Sequence, residues 1–257
     1  MAQRTKIHET NPGWAERVFQ VNCMPLKIFA VKTSILYPPR DNIFPLFDSD
    51  GFSLERSDIL CIATKCLAIH QGRCVKIGTV DRRRLICDEA DRLWEKNCLL
   101  TVKDGIVIPF SGIDESNGNG YYVLWPQDVT KLLAEIHGYL CEKFTIKNLG
   151  IISIDSKIEP FRRGTIGVAQ DIFGFNPIKD YRGKVDLFGR RLEVTSVNIA
   201  DSLASTACYL MGEGNESCPL VIVRGAENVE FGNEFSMKNT QLAKEDDMFG
   251  NILNFHN

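Results

Sequence analysis

The sequence predicts a mixed fold of the α/β or α+β class. Short apolar runs rich in β-branched residues alternate along the chain with segments in which leucine and alanine recur every three or four residues. The first pattern is typical of buried strands and the second of amphipathic helices. Their alternation indicates a sheet covered by helices. A chain of 257 residues that is 44% hydrophobic has ample apolar material for such a core.

Five segments have the strand pattern, and most look buried on both faces because their runs are almost continuously apolar. They are LKIFAVKTSIL (26–36), DILCIATKCLAI (58–69), GIVIPFSGI (105–113), LGIISI (149–154) and PLVIVRG (219–225).

Three segments have the helical pattern. They are RRLICDEADRLWEKN (83–97), PQDVTKLLAEIHGYLCEKF (126–144) and NIADSLASTACYLMGEG (198–214). Gly212 stands where a left-handed C-terminal cap is expected, so the last helix should end at Met211 and leave Glu213 just beyond it. The stretch DYRGKVDLFGRRL (180–192) fits either a substrate loop or a hairpin.

Composition argues against several classes of function. The formal net charge is −3, from 30 basic and 33 acidic residues spread along the chain, so we expect a small-molecule partner and no nucleic acid. The nine cysteines lack C-x-x-C spacing and are expected to be free thiols in a reducing cytosol. The first residues have no apolar signal core and no run reaches about 18 apolar residues, so we expect a cytoplasmic protein without membrane contact.

Three acidic residues share one setting, the end of an apolar element. Asp114 follows IPFSGI, Asp155 follows LGIISI and Glu213 follows CYLMG. Polar residues at such ends often build sites in α/β proteins. Mg²⁺ and Mn²⁺ take carboxylate oxygens, and Mg²⁺ commonly uses one or two carboxylates together with substrate phosphates. The same spacing also fits turn formers and a solvated glutamate, because Asp, Asn and Ser favour turns.

The loop SGIDESNGNGYY (111–122) is a second candidate feature. Its glycines let backbone N–H groups approach an anion, and Ser116 and Asn117 can donate hydrogen bonds to a phosphate oxygen. Familiar phosphate-binding motifs are missing, so a nucleotide has to bind in another way. Arg162, in EPFRRGTIG (159–167), suits a carboxylate or phosphate and fits a solvated turn equally well. The four histidines give little support to a nucleophile-and-base enzyme.

Four motifs in order resemble the coenzyme F420-0 γ-glutamyl ligase superfamily. They are SGIDESNGNGYYVLWPQD, IISIDSKIEPFRRGTIG, DYRGKVDLFGRRL and ADSLASTACYLMGEGNESCPLVIVRG. The resemblance runs from Phe29 to Gly225 and implies a catalytic unit over 29–225. The chain ends are more polar, and we expect an N-terminal arm over 1–28 and a C-terminal docking segment over 226–257.

Within this superfamily the chain looks most similar to the branch described as folate-metabolism γ-glutamate ligases. The similarity lies in AVKTSILYPPRDNIFPLFDS, LERSDILCIATKCLAIHQGR, ESNGNGYYVLWP and DSKIEP. Where the F420 branch usually reads D-T-x-G-R-P, this chain has DSKIEP (155–160), which implies a changed acceptor pocket. Where the family commonly has S-K-x-E-G-R, it has AIHQGR (68–73), losing a serine, a lysine and a glutamate.

The resemblance also assigns roles to site residues. It implies Mg²⁺ or Mn²⁺ held by carboxylates that match Asp114, Asp155 and Glu213, with the Ser156 hydroxyl replacing that of a threonine. It implies GTP, or ATP, as co-substrate, contacted at Lys65, Asn117 and Gly212. Arg162 is assigned to a substrate carboxylate, so that Asp114, Asp155 and Arg162 form the catalytic set. Glu216 is a reserve acid, and Glu115 is left as a turn residue.

The resulting hypothesis is a γ-glutamyl ligase that joins L-glutamate to a carboxylate acceptor through an acyl phosphate. This chemistry needs positioned phosphates and cations rather than a protein nucleophile. The branch motifs favour a folate acceptor. Two alternatives stay open: a coenzyme F420-0:L-glutamate ligase, and a nucleotide- or metal-binding homologue without ligase activity, which the changes at Ala68, Ile69 and Gln71 motivate. The resemblance further implies a two-part fold and an intertwined homodimer.

Overall fold

The structure is a computed structural model that describes residues 25–94, 100–227, 229–243 and 246–249. The mixed α/β class is confirmed, since helices and strands both contribute to its cores. The helices are α1 (Thr64–Gln71), α2 (Arg82–Glu89), α3 (Val129–Phe144) and α4 (Ile199–Met211). The strands are β1 (Lys27–Val31), β2 (Asp58–Ala63), β3 (Cys74–Lys76), β4 (Arg92–Leu93), β5 (Leu100–Lys103), β6 (Ile106–Pro109), β7 (Tyr121–Val123), β8 (Leu149–Ile158), β9 (Thr165–Phe173), β10 (Ile178–Asp180), β11 (Ser196–Asn198) and β12 (Leu220–Arg224).

A five-stranded sheet with the order β1-β12-β2-β8-β9 forms the centre of the molecule. Strands β2 and β8 are parallel, with Ala63 opposite Ile154, whereas the other neighbouring pairs are antiparallel. The chain between the two parallel strands therefore crosses over, as parallel pairs require. The carboxyl ends of β2 and β8 meet at one edge of the sheet.

Helices cover both faces of this sheet. On one face α3 packs through Leu132, Leu133 and Ile136 in a core with leucine and isoleucine side chains of β2 and β8. On the other face α4 presents alanines, which let it lie very close to β9. A Cβ atom on Gly167 would lie only 2.6 Å from Cβ of Cys208, so this approach requires glycine.

A smaller part is inserted between α1 and α3. It contains two further sheets, β3 with β7 and β4 with β5 and β6, together with α2. Its own core consists of buried Ile86, Ile113, Tyr122 and Leu124. Loop 111–122 belongs to this part, so the insertion carries Asp114 towards the central sheet.

Two predicted elements have different boundaries in the structure. The apolar run 58–69 is not one strand, because β2 ends at Ala63 and α1 begins at Thr64. Cys66, Leu67, Ala68 and Ile69 are all buried and continue the apolar run of β2, and the eight residues of α1 make only about two turns, too few to show a helical period. The predicted helix 83–97 ends at Glu89 and is followed by β4, while residues 95–97 lie outside the described residues.

The stretch 180–192 is a hairpin rather than a simple loop. Strands β10 and β11 pair at its base, and Val185 pairs with Arg191 near its tip. Leu187 and Phe188 at the tip are 98% and 95% exposed. This hairpin therefore projects an apolar end away from the sheet.

The described residues also bear on the expected membrane spans, disulfides and chain ends. None of their helices is long and apolar enough to cross a membrane. No disulfide joins the cysteines in the described ranges, as expected. Most of the predicted N-terminal arm lies outside those ranges. Beyond Gly225, Val229, Phe231 and Phe235 pack against the core under α4.

Candidate functional site

A cavity of about 540 Å³ opens at the sheet edge where β2 and β8 end. This is the edge at which α/β sheets place ligands. Its lining is drawn from residues 33–38, 63–69, 114–119, 154–156 and 208–219. Asp114, Asp155, Ser156 and Glu213 all contribute to it, so the crossover and the sheet order bring together residues that are distant in sequence.

Asp114 is held by a lysine from the start of α1. Nζ of Lys65 lies 2.6 Å from Oδ2 of Asp114 and also donates to the carbonyl and hydroxyl oxygens of Ser116. Ser116 in turn donates to Asp114 from its backbone and its hydroxyl. Burial alone would raise the pKa of Asp114, but the hydrogen bond and charge of Lys65 and the bonds from Ser116 hold that pKa below its usual value.

Asp155 lies inside β8 rather than after it, since the strand continues to Ile158. One carboxylate oxygen, Oδ2, accepts a hydrogen bond from the indole Nε1 of Trp125, and Oδ1 accepts one of 2.8 Å from the backbone N–H of Ser156. Burial raises the pKa of Asp155 to about 6, although these two bonds and the charge of Lys65 oppose the rise.

Glu213 follows α4, as predicted. Its Oε2 accepts a 3.3 Å bond from the Ser156 hydroxyl, and its Oε1 accepts bonds from Thr165 Oγ1 at 3.2 Å and Cys208 Sγ at 3.3 Å. The helix ends at Met211, but Gly212 has φ 75° and ψ 173° and is not in the predicted left-handed helical region. Only glycine adopts this conformation readily.

The loop after α4 is joined to the loop that carries Asp114. Asn117 Nδ2 donates a 2.9 Å bond to the carbonyl of Gly214, and the Glu216 carboxylate accepts one from the N–H of the same glycine. Glu216 folds back over Gly212, where a Cβ atom would lie 2.6 Å from its Oε1. Asn117, Gly212 and Glu216 therefore shape one rim of the cavity.

Two residues of the 111–122 and 159–167 motifs point elsewhere. Glu115 lies 3.0 Å from Nε of Arg82 on α2, so it ties the loop to the smaller part and not to the cavity. Arg162 lies in the exposed turn between β8 and β9, outside the cavity lining.

Comparisons with known proteins place this geometry in context. A family model described as F420-0:Gamma-glutamyl ligase matches residues 40–225. The chain belongs to this family. It is 41% identical over 225 residues to the coenzyme F420:L-glutamate ligase of Methanocaldococcus jannaschii, covering 78% of this chain and 87% of that protein. It is 37% identical over 250 residues to the protein of the same name from Archaeoglobus fulgidus, covering 90% and 98% respectively.

Ala68, Ile69 and Gln71, where the sequence departs from the pattern expected of the F420-0:γ-glutamyl ligase family, all make defined contacts in the structure. Ala68 and Ile69 are buried beside Val123. Gln71 replaces the family's glutamate and pairs through its amide with both the N–H and the carbonyl of Gln127. Ile69 also lines the cavity, so an apolar side chain stands where the pattern has a lysine.

Asp155, Ser156 and Glu213 carry oxygen atoms of the kind that could hold a hard cation. Among the described residues no group of three or more His, Cys, Asp or Glu side chains is arranged to hold a metal ion by itself. Asp155 and Glu213 are nevertheless linked through Ser156, which contacts both. Two carboxylates and a hydroxyl are a partial shell of the kind that Mg²⁺ completes with water and substrate phosphates.

Sequence reasoning missed three residues of this ligase-family site. Trp125, Thr165 and Cys208 contact Asp155 or Glu213, but each sits within an apolar or hairpin motif without a chemical signature of its own. Burial and the Glu213 carboxylate raise the pKa of Cys208 to about 12, so it is a neutral hydrogen-bond donor. The WP pair, one residue after the end of β7, was the one available signal for Trp125.

Proposed function

We propose that the protein is a γ-glutamyl ligase that joins L-glutamate to a coenzyme F420-type carboxylate acceptor. The observation that carries the proposal is the single cavity in which Asp114, Asp155 and Glu213 meet Lys65. The names of the relatives support both glutamate and the acceptor type. They favour an F420-type acceptor over the folate acceptor expected from the branch motifs, so folate becomes the second candidate.

We further propose GTP, or ATP, as the co-substrate and Mg²⁺ or Mn²⁺ as the cation. Asp155, Ser156 and Glu213 would hold the cation together with phosphate oxygens, and Asp114 with Lys65 would face the same phosphates. A bound divalent cation neutralises charge that develops on the phosphoryl group. Asn117 lies at the rim with Gly212 and Gly214. The N–H groups of the two glycines already donate to the Cys208 carbonyl and the Glu216 carboxylate, so the Asn117 amide, which uses one donor on the Gly214 carbonyl, is the rim donor that we assign to an anionic oxygen.

The proposed reaction has two steps, formation of an acyl phosphate and its conversion into an amide. An acceptor carboxylate oxygen attacks the γ-phosphorus, a P–O bond forms, and the bond to the nucleoside diphosphate breaks. The amine of glutamate next attacks the acyl carbon, a C–N bond forms, phosphate leaves, and the amine loses its proton. Glu216 lies at the rim and is the carboxylate that we assign to accept that proton. The other residues orient the reactants and exclude water.

One wall of the cavity is available for a planar ring. It is formed by Ile35, Leu36, Tyr37, Pro38 and Ile69. Ile35 and Tyr37 are 62% and 60% exposed, so apolar surface is open to stacking. This wall suits a nucleotide base or the ring system of an acceptor.

We also propose the homodimer that the family resemblance implies. The hairpin tip with Leu187 and Phe188, together with Val194 and the fully exposed Phe161, leaves apolar side chains uncovered. Such surface is typical of protein interfaces. Arg162 lies beside Phe161 in the same exposed turn. If this turn is part of the dimer interface, Arg162 would bind a substrate carboxylate in the partner's cavity and not in the cavity of its own chain.

The deciding experiment is an acceptor screen followed by mass spectrometry. The purified chain is incubated with GTP or ATP, Mg²⁺ or Mn²⁺, glutamate and either F420-0 or a tetrahydrofolate, with Asp155→Asn as the matched control. A glutamate added to F420-0 supports the proposal, and addition only to the folate supports the second candidate. Nucleotide binding without any product favours a binding homologue that has lost ligase activity.

A further inference from the structure

We propose that Trp125 is a positioning residue that fixes both Asp155 and the backbone leading to Asp114. The proposal deepens the function proposed above, because those two carboxylates belong to the same ligase site. Trp125 is not among the residues that line the cavity, and only 2% of its surface is exposed.

The first contact of Trp125 is a hydrogen bond to Asp155. Nε1 donates to Oδ2, while the backbone N–H of Ser156 donates to Oδ1. Each carboxylate oxygen thus has one fixed donor, and Asp155 also lines the cavity. An indole N–H is a donor only and carries no charge, so it orients the carboxylate without neutralising it. Lys65 orients Asp114 in the opposite way, by pairing its charge.

The second contact is between the indole and Gly112. A Cβ atom on Gly112 would lie 2.6 Å from Cδ1 of Trp125, so the ring rests directly on the backbone. Gly112 has φ +69°, and Phe110 and Ser111 before it also have positive φ values. Residues other than glycine adopt such angles only where the surroundings enforce them. The ring is part of those surroundings, and Asp114 follows two residues later.

The backbone of Trp125 is fixed by residues of the smaller part. Its carbonyl accepts a 3.1 Å hydrogen bond from Nε of Arg73, whose Nη2 pairs with Glu89 at 2.6 Å. The backbone N–H of the preceding Leu124 donates to the carbonyl of Arg73. The indole therefore projects from a segment fixed to the smaller part, and it reaches across to β8 of the central sheet. Donors around a metal-binding carboxylate typically change metal affinity or activity by about 10–100-fold when removed.

The test compares Trp125→Phe, which keeps an aromatic ring but lacks the N–H, with Trp125→His, which keeps a ring N–H. Trp94→Phe, in the smaller part and outside the cavity lining, is the control. We expect Trp125→Phe to bind Mn²⁺ about tenfold more weakly, with and without GTP. Electron paramagnetic resonance of free Mn²⁺ measures this affinity. We expect kcat to fall with little change in the KM for glutamate, and Trp125→His to recover part of both losses. Unchanged Mn²⁺ affinity and kcat in folded Trp125→Phe would overturn the proposal, as would equal losses in the Phe and His variants.

A second measurement needs no ligand and no turnover. The indole ¹H–¹⁵N resonance of Trp125, assigned through Trp125→Phe, should shift in Asp155→Ala while the other indole resonances stay in place. An unmoved resonance would overturn the hydrogen bond and the proposal with it. A shifted resonance in a protein that forms no ligase product would leave the positioning role intact and reject the proposed function alone.

Discussion

Nζ of Lys65 lies 2.6 Å from Oδ2 of Asp114, and its other hydrogen bonds go to Ser116. The first residues of α1 thus place a positive charge against a carboxylate from the inserted part. This ion pair adds a charged contact at the cavity to the packing of Ala68 and Ile69 against Val123. It also means that a cation approaching Asp114 meets a resident positive charge.

Removing that charge should strengthen cation binding while impairing catalysis. Lys65→Met keeps much of the side-chain volume but removes the ammonium group. A unit charge at 4 Å in water is worth about 1 kcal/mol, so Mn²⁺ should bind at least about fivefold more tightly, whereas turnover with GTP should fall. Titration of Mn²⁺ followed by calorimetry measures the affinity. Lys131→Met, on the exposed face of α3, should match the wild type, and weaker Mn²⁺ binding in Lys65→Met would contradict the prediction.

The stability difference between Asp155→Asn and the wild type should depend on pH. Because burial raises the folded-state pKa of Asp155 from 3.8 to about 6, the folded protein holds this proton more tightly than the unfolded chain. The carboxyl group therefore lowers the free energy of unfolding as pH rises between about 4 and 7. In the presence of a chelator, the free energy of unfolding of Asp155→Asn minus that of the wild type should therefore increase by about 2 kcal/mol from pH 4.5 to pH 7.5. Urea unfolding at the two pH values tests this, and a gain in the opposite direction would rule it out.

Gly112→Ala should be more damaging than Gly120→Ala. Both glycines have left-handed φ values, +69° and +85°, so both variants carry the same kind of backbone strain. A Cβ on Gly120 meets nothing within 4 Å, whereas one on Gly112 overlaps the indole of Trp125. The overlap should cost about 1–3 kcal/mol beyond the shared strain. Urea unfolding of the two variants measures the difference, and equal losses would mean that the ring can move aside.

Arg224 should matter for stability but not for the cavity. Asp58, at the start of β2, is fully buried, and the guanidinium of Arg224 binds both of its oxygens, at 2.9 and 2.7 Å. Arg224→Met leaves a buried charge without its partner and should lower the free energy of unfolding by about 3–5 kcal/mol.

The double variant Asp58→Asn/Arg224→Met should recover part of that loss, because neither charge is then left alone. Asp58 lies at the opposite end of β2 from the cavity, so Mn²⁺ affinity should be unchanged in every variant that remains folded. A double variant less stable than the sum of the two single variants would contradict this account.

Much of the central sheet could be predicted from the sequence, because strands buried on both faces are continuous apolar runs. The boundary between β2 and α1 could not, because only Thr64 and Lys65 interrupt the apolar run and the eight-residue helix is too short to show a helical period. The end of α4 at Met211 was readable from Gly212, although this glycine does not form the predicted left-handed cap, and Glu213 follows it as expected.

The acidic residues of the candidate site could be selected from the sequence, whereas the residues that hold them in place could not. Asp114, Asp155 and Glu213 were selected by their position after apolar runs together with the family resemblance, and all three line one cavity, whereas their position alone also fitted turn formers. The indole that orients Asp155 and the lysine charge placed on Asp114 depend on tertiary contacts across 30 and 49 positions of sequence. Single-sequence patterns contain no record of such pairings, and Arg162 shows the converse, since a suggestive motif lies in an exposed turn.

The crossover between β2 and β8 has a consequence for how this cavity can diversify over time. The smaller part, residues 72–128, lies between α1 and α3, so its length and content can change while β2 and β8 keep their register. Asp155 and Glu213 are inherited with the sheet and α4, whereas Asp114, Asn117 and Trp125 travel with the insertion. The two halves of the cavity are thus encoded in separate stretches of the chain, so a change confined to the insertion alters Asp114 and Asn117 while Asp155 stays on β8 and Glu213 beyond α4.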